Sequence, residues 1–119
     1  MNMLNQLILE GNIVHLQDKV STANGFTVKP FSIAVNREYR NAEGEKVSEA
    51  SYFDVEAFGS LAESIEQWGE RGRGVRIVGR LKQERWEDAE GKSHSKVKVI
   101  AEHIDFKPKK GGGPAWTEQ

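Results

Sequence analysis

The chain has 119 residues, 37% of them hydrophobic and 29% charged, with no cysteine and a formal net charge of -1, so it fits one domain and excludes disulfide scaffolds, thiolate zinc sites and cysteine nucleophiles. No apolar run approaches the ~18 residues of a helical membrane span, and Met1-Asn2-Met3-Leu4 lacks the basic segment and small-residue cleavage site of an export signal. A mean hydropathy of -0.63 is wet but patterned, and the near-neutral balance means that any basic surface must be local.

Leu4 to Leu16 reads as a first strand, with Leu7, Leu9, Gly11 and Ile13 on one parity and Gln6, Glu10 and Asn12 on the other. Asn24-Gly25 signals a turn. Phe31, Ile33 and Val35 alternate with Ser32, Ala34 and Asn36 in a second strand, and Asn41-Ala-Glu-Gly44 turns the chain. Ser51 to Phe58 forms a third strand. Ser60-Leu-Ala-Glu63 fits a capping box, followed by Leu61, Ile65 and Trp68 at helical spacing and Gly69 as the residue beyond the helix end. Trp68, Phe31 and Phe106 are expected in the core. Gly74 to Trp86 is a fourth strand with Val75, Ile77 and Leu81 inward. Asp88-Ala-Glu-Gly91 repeats the earlier turn, and Ser95 to Phe106 is a fifth strand with Val97, Val99 and Ala101 on one face. One helix between strands three and four of five points to an all-β OB-fold, a five-stranded Greek-key barrel, while periodicity alone does not separate it from other small barrels. The folded domain spans residues 1–107. Residues 108–119, opening the glycine- and proline-rich run, are expected to be a flexible tail.

The fourth strand and its approach carry the strongest functional pattern. From Gly69 to Trp86 the basic residues Arg71, Arg73, Arg76, Arg80, Lys82 and Arg85 outnumber the acidic Glu70 and Glu84. Arg76, Arg80, Lys82 and Trp86 share a parity, and Lys96 and Lys98 extend the basic surface from the fifth strand. Cations that track phosphates, beside a ring on which any base can stack, suit sequence-tolerant binding of a single strand. A solvated strand face with snorkelling side chains fits the same spacing. Tyr39 and Tyr52 lie near the two ends of the first long hairpin. Tyr52 and Phe58 point away from the core if Phe53, Val55 and Ala57 point into it; a Phe58 that caps the barrel end is the competing reading. His15, His94 and His103 form no metal-ligand spacing, and Gly74 to Leu81 imitates a phosphate loop in its glycines alone. The sequence therefore predicts no catalysis, metal or cofactor.

Four stretches together resemble the bacterial single-stranded DNA-binding proteins: Asn5-Gln-Leu-Ile-Leu-Glu-Gly-Asn12, Phe31-Ser-Ile-Ala-Val-Asn-Arg-Glu-Tyr39, Phe58-Gly-Ser-Leu-Ala-Glu63, and Gly74-Val-Arg-Ile-Val-Gly-Arg-Leu81 running on to Arg85-Trp86. The resemblance covers residues 4 to about 106. It implies a homotetramer in the cytoplasm, associated with the nucleoid, that holds single-stranded DNA with little sequence preference during replication, recombination and repair. It places stacking rings at Tyr39, Tyr52, Phe58 and Trp86 and basic contacts at Arg71, Lys82 and Arg85; Arg37, beside Tyr39 in the chain, joins the candidate contacts. It also implies a subunit interface along the first strand, at Leu4, Gln6, Ile8 and Glu10, with Phe53 where a histidine is common. Gln6 and Ser60 stand where lysine is frequent, and Asp54 where a basic residue is. Asp54 and Glu56, between Tyr52 and Phe58, are expected to repel phosphates and weaken binding. The family's acidic C-terminal tip, which recruits replication and repair proteins, has no counterpart in Trp116-Thr-Glu-Gln119. A primosome-type OB-fold protein acting through protein contacts, and a cold-shock-like RNA-binding domain, are the alternatives.

Overall fold

A computed structural model describes residues 2–108 and the backbone of Thr117–Glu118. The expected flexible tail lies outside the described residues, apart from Pro108 and that dipeptide. The elements in order are β1 (Leu7–Leu16), β2 (Val20–Ser21), β3 (Thr27–Arg40), β4 (Lys46–Phe58), α1 (Ser60–Trp68), β5 (Gly74–Glu87), β6 (Ser93–Phe106) and β7 (Thr117–Glu118).

Five long strands close on themselves. β1 pairs with β5 from Leu7↔Gly79 to Asn12↔Gly74, then crosses to β3 from Asn12↔Ala34 to Leu16↔Phe31. β3 and β4 form one antiparallel hairpin, β5 and β6 another, and a parallel contact at Val55↔Val99 and Glu56↔Ile100 joins them. The result is the OB-fold barrel anticipated from the strand–helix order. Ile13, Phe31, Ile33, Val55, Ile65, Val75, Ile77, Val99, Ile104 and Phe106 fill its interior. Among the described residues no helix is long and apolar enough to cross a membrane.

Two bulges re-phase the alternation. Val14 is extra in β1 between the pairs Ile13↔Ile33 and His15↔Ser32. Glu102 is extra in β6 between Val78↔His103 and Gly79↔Ala101, so the buried parity switches from Val99 and Ala101 to Ile104 and Phe106. The repeated turns are built alike. The side-chain oxygens of Asn41 and Asp88 each accept two backbone N–H bonds, and Gly44 and Gly91 take positive φ at 79° and 81°.

Both long hairpins outrun the barrel, and this overturns one expectation. Leu81 does not point inward; it is 48% exposed, because its parity faces the interior only while there is an interior to face. Val97 shares the side of Val99 but is equally uncovered at 55%. Asn5 supports the base of this arm. Its amide donates to Leu81 O at 2.8 Å and accepts from Leu81 N at 3.0 Å. A side chain thus continues the β1–β5 ladder beyond Leu7, so β1 starts at Leu7 and not at Leu4.

The helix ends also depart from expectation. Ser60 does not cap α1. Gly59 occupies that position at φ 60°, ψ -124°, with no side-chain cap bond, a conformation open to glycine. Ser60 is already helical, and Glu63 reaches Lys19 instead, at 3.1 Å. Gly69 is itself the C-cap, in extended conformation at φ -78°. A Cβ there would stand 2.6 Å from Ile65 O, so the glycine supplies room and not a left-handed turn. Ala62 and Ile65 are the buried face of α1, whereas Trp68 is 38% exposed and outside the core, contrary to the helical-stripe reading.

Candidate nucleic-acid interface

The parallel β4–β6 contact brings three files of side chains onto one outward surface. β4 contributes Tyr52, Asp54, Glu56 and Phe58, β6 contributes Lys96 and Lys98, and β5 contributes Lys82, Glu84 and Trp86. Tyr52 and Trp86 are exposed at 68% and 47%, and Phe58 is half-buried. Phe53 and Val55 of β4 take the opposite parity, and Val55 is buried.

Asp54 and Glu56 do not face this surface as bare charges. Lys96 Nζ lies 2.5 Å from Asp54 Oδ2, and Ser32 Oγ donates to Asp54 Oδ1 at 3.0 Å. Lys98 is held between Glu56, at 2.8 Å, and Glu84. The Lys96 hydrogen bond holds the Asp54 carboxyl below its ordinary range against the opposing pull of partial burial. The Lys98 bond does the same for Glu84. Burial pulls the Lys98 ammonium down, but its bonds to Glu56 and Glu84 outweigh that and raise it. The expected repulsion is therefore largely neutralised in place, while two of the expected cations are engaged with carboxylates. The Lys98 side chain is only 10% exposed; that of Lys96 is 54% exposed.

The remaining basic residues fall into distinct settings. Arg76 pairs with Glu10 at 3.0 Å and Asp105 at 3.8 Å, and Arg80 with Glu102 at 3.4 Å. Arg73 is not a surface cation: it is buried, donates to Lys107 O and Trp68 O, and lies 5.3 Å over the Phe106 ring. Arg37 pairs with Glu49 and sits 4.9 Å over Tyr39. These two share a parity opposite to Tyr52 and Phe58, so Tyr39 belongs to the other face of the β3–β4 arm. Arg71, Lys82 and Arg85 form no ion pair with a carboxylate among the described residues, although the charge of Lys82 helps to lower the Glu84 carboxyl. Lys82 shares the parity of Trp86, Arg85 donates to Gln83 Oε1 on the reverse side of the arm, and Arg71 lies in the α1–β5 turn.

Sequence reasoning did not single out His94. It lies opposite Trp86 in the β5–β6 register and stacks on it, with ring centroids 5.5 Å apart and planes inclined by 19°. The equal spacing of both rings from the Asp88–Lys92 turn, two residues on either side, was the available signal. Of the expected interface residues, Leu4 and Ile8 are 92% and 66% exposed, Phe53 is 36% exposed, Gln6 is exposed, and Glu10 holds Arg76.

Comparison with known proteins agrees with this geometry. Residues 4–107 match the family model described as the single-strand binding protein family. A single-stranded DNA-binding protein of Aquifex aeolicus is 41% identical over 104 residues, 86% of this chain and 69% of that protein. Single-stranded DNA-binding protein 2 of Staphylococcus aureus is 33% identical over 87% of this chain and 73% of its own length. In structure, the chain is similar to a Plasmodium falciparum protein solved in complex with single-stranded DNA, with a TM-score of 0.79 at 21% identity over 89% of this chain and 96% of that one. It is similar also to a deletion variant of the Thermus aquaticus single-stranded DNA binding protein, with a TM-score of 0.79 at 28% identity over 92% of this chain and 53% of that one. The match runs through every strand of the barrel and both ring-bearing arms, and so the chain belongs to the single-strand binding protein family.

Proposed function

We propose that this chain binds single-stranded DNA without reading its sequence and without catalysing a reaction. Bases stack on Tyr52, Phe58 and Trp86 while Lys82, Arg71 and Arg85 meet phosphates. The observation that carries this reading is the shared surface of exposed rings from β4 and β5 with Lys82 among them and the neighbouring carboxylates already paired. That pairing leaves the β4 carboxylates answered by lysines, which supports a nucleic-acid partner over a purely protein-binding role. Tyr39 and Arg37 extend the contact along the other face of the first arm. No metal or cofactor enters such a mechanism.

Self-association, up to a tetramer, supplements this small barrel. From Leu7 to Gly11, β1 is paired on its β5 side, and its β3 pairing begins only at Asn12. An open ladder edge with Ile8 and Leu4 exposed beside it favours a second copy. The cellular role in this reading is protection of exposed strands in replication, recombination and repair, in the cytoplasm at the nucleoid.

The test is fluorescence anisotropy of a labelled oligo-dT with duplex DNA and RNA of equal length as competitors, at low and moderate salt. Binding that duplex does not displace is the expected result. Displacement by RNA at equal concentration would transfer the assignment to RNA, and no binding by the folded protein at low salt would refute it.

A further inference from the structure

Behind Trp86, at the tip of the β5–β6 arm, lies a pair of residues, Asp88 and His94, that none of the assigned contacts uses. Asp88 is divided between two tasks. Its Oδ1 accepts the backbone N–H groups of Glu90 and Lys92, which fixes the turn. Its Oδ2 lies 2.8 Å from His94 Nε2, which fixes the direction of the imidazole. The imidazole so held lies against one face of the Trp86 indole, nearly parallel to it. The bond also holds the Asp88 carboxyl below its ordinary range. A hollow of about 480 Å³ opens beside the pair, with Arg85 and Gln83 in its wall.

We infer that His94 is a positioning residue for single-strand binding: it backs one face of Trp86 so that the opposite face is presented to a base already in place. An exposed tryptophan at a hairpin tip otherwise loses rotamer freedom when a base lands on it, and that loss opposes binding. Here the loss has occurred on folding, through a chain of fixed groups running from the turn backbone to Asp88, His94 and the indole. A base added to the free face completes a continuous stack of base, indole and imidazole. The inference rests on the single-stranded DNA reading of Trp86.

The experiment compares wild type with Trp86→Ala, His94→Ala, His94→Gln and His94→Phe for oligo-dT affinity. Mobility of the Trp86 ring is read in parallel by time-resolved fluorescence in a Trp68→Phe, Trp116→Phe background. Melting curves establish that each variant is folded. His94→Ala and His94→Gln are expected to bind about three- to tenfold more weakly with a faster-moving indole, in keeping with a pre-organisation role. His94→Phe is expected to fall between wild type and His94→Gln in both, because it keeps the ring but not the bond to Asp88. Glutamine keeps a polar group for Asp88 without the ring, so it covers the case in which alanine fails to fold. If His94→Ala and His94→Gln bind as wild type while Trp86→Ala weakens binding, the inference is overturned and the DNA reading stands. If His94→Phe stays as weak as His94→Gln, stacking is not what His94 supplies and the inference is likewise overturned. If Trp86→Ala itself binds as wild type, the reading beneath the inference fails.

Discussion

Asp54 engages the Lys96 ammonium, so if the proposed face meets phosphates, Asp54→Asn should strengthen binding and make it more salt-dependent. The pair is close, at 2.5 Å, but both side chains are about half exposed. Exposed pairs of this kind contribute about 0.2–1 kcal/mol. Taking the upper part of that range, about 1 kcal/mol, gives roughly a fivefold gain in affinity at low salt. The freed ammonium adds one phosphate contact, which on single strands steepens the slope of log K against log salt by about 0.7. Across a fourfold rise from about 50 to about 200 mM salt, the gain should therefore shrink about 2.6-fold. Asparagine keeps an acceptor for Ser32 Oγ, so the melting temperature should move little. Equilibrium anisotropy with oligo-dT across a salt series measures both quantities, and Asp54→Asn combined with Lys96→Gln closes the cycle. An Asp54→Asn protein with wild-type affinity and slope, or one whose gain survives loss of Lys96, would refute the competition between carboxylate and phosphate.

Three further outcomes follow from the packing and the ion pairs. Ile65 is fully buried where α1 closes the barrel, so Ile65→Ala should lower unfolding free energy by about 2–5 kcal/mol in denaturant titrations; a loss of a few tenths would place α1 outside the cooperative core. The carboxyls of Asp54, Glu66, Glu84 and Asp88 are all depressed, by hydrogen bonds to Lys96, Lys29, Lys98 and His94 respectively. Depressed carboxyls add stability above their unfolded values of about 4 and lose it as pH falls through the folded ones, so melting temperature should drop steadily below about pH 5, and a flat acid limb would contradict these pairs. Ile8→Glu places a charge beside the open edge of β1 and should shift sedimentation toward smaller species; an unchanged species would move the subunit contact elsewhere.

Strand alternation made most of the barrel legible, because a residue's parity decides whether it meets the interior. It misplaced Leu81 because parity carries no information about where the interior ends; the β5 pattern runs unbroken from Val75 in the core to Leu81 on the projecting arm. It misplaced the cap because Gly59 and Ser60 are both acceptable there, and the backbone angle at Gly59 decided. The outward parity of Tyr52, Phe58 and Trp86 was legible in the alternation, although Phe58 is half-buried where Tyr52 and Trp86 are exposed. The pairing of Asp54 with Lys96 and of Glu56 with Lys98 was not. It depends on a parallel register at Val55↔Val99, between strands that no short turn connects, and no local pattern encodes that register.

A chain with net charge -1 meets a polyanion through the way its charges are distributed, not through their sum. On β5, Arg76 and Arg80 are answered by Glu10, Asp105 and Glu102, so that end of the strand offers little net attraction. On β6, Lys96 and Lys98 are answered by Asp54, Glu56 and Glu84. Lys82 stands between these two sets, on the parity of Trp86, and forms no ion pair among the described residues, its charge acting on Glu84 only at longer range. A phosphate approaching the indole therefore meets an ammonium whose engagement releases a counterion without first breaking an ion pair. Lys82→Gln should reduce the salt slope by about 0.7 and weaken binding at low salt, whereas Arg76→Gln should leave both nearly unchanged. Equal losses from the two substitutions would mean that the pairs on β5 open freely when DNA binds, and that ion pairing does not select which cations make contact.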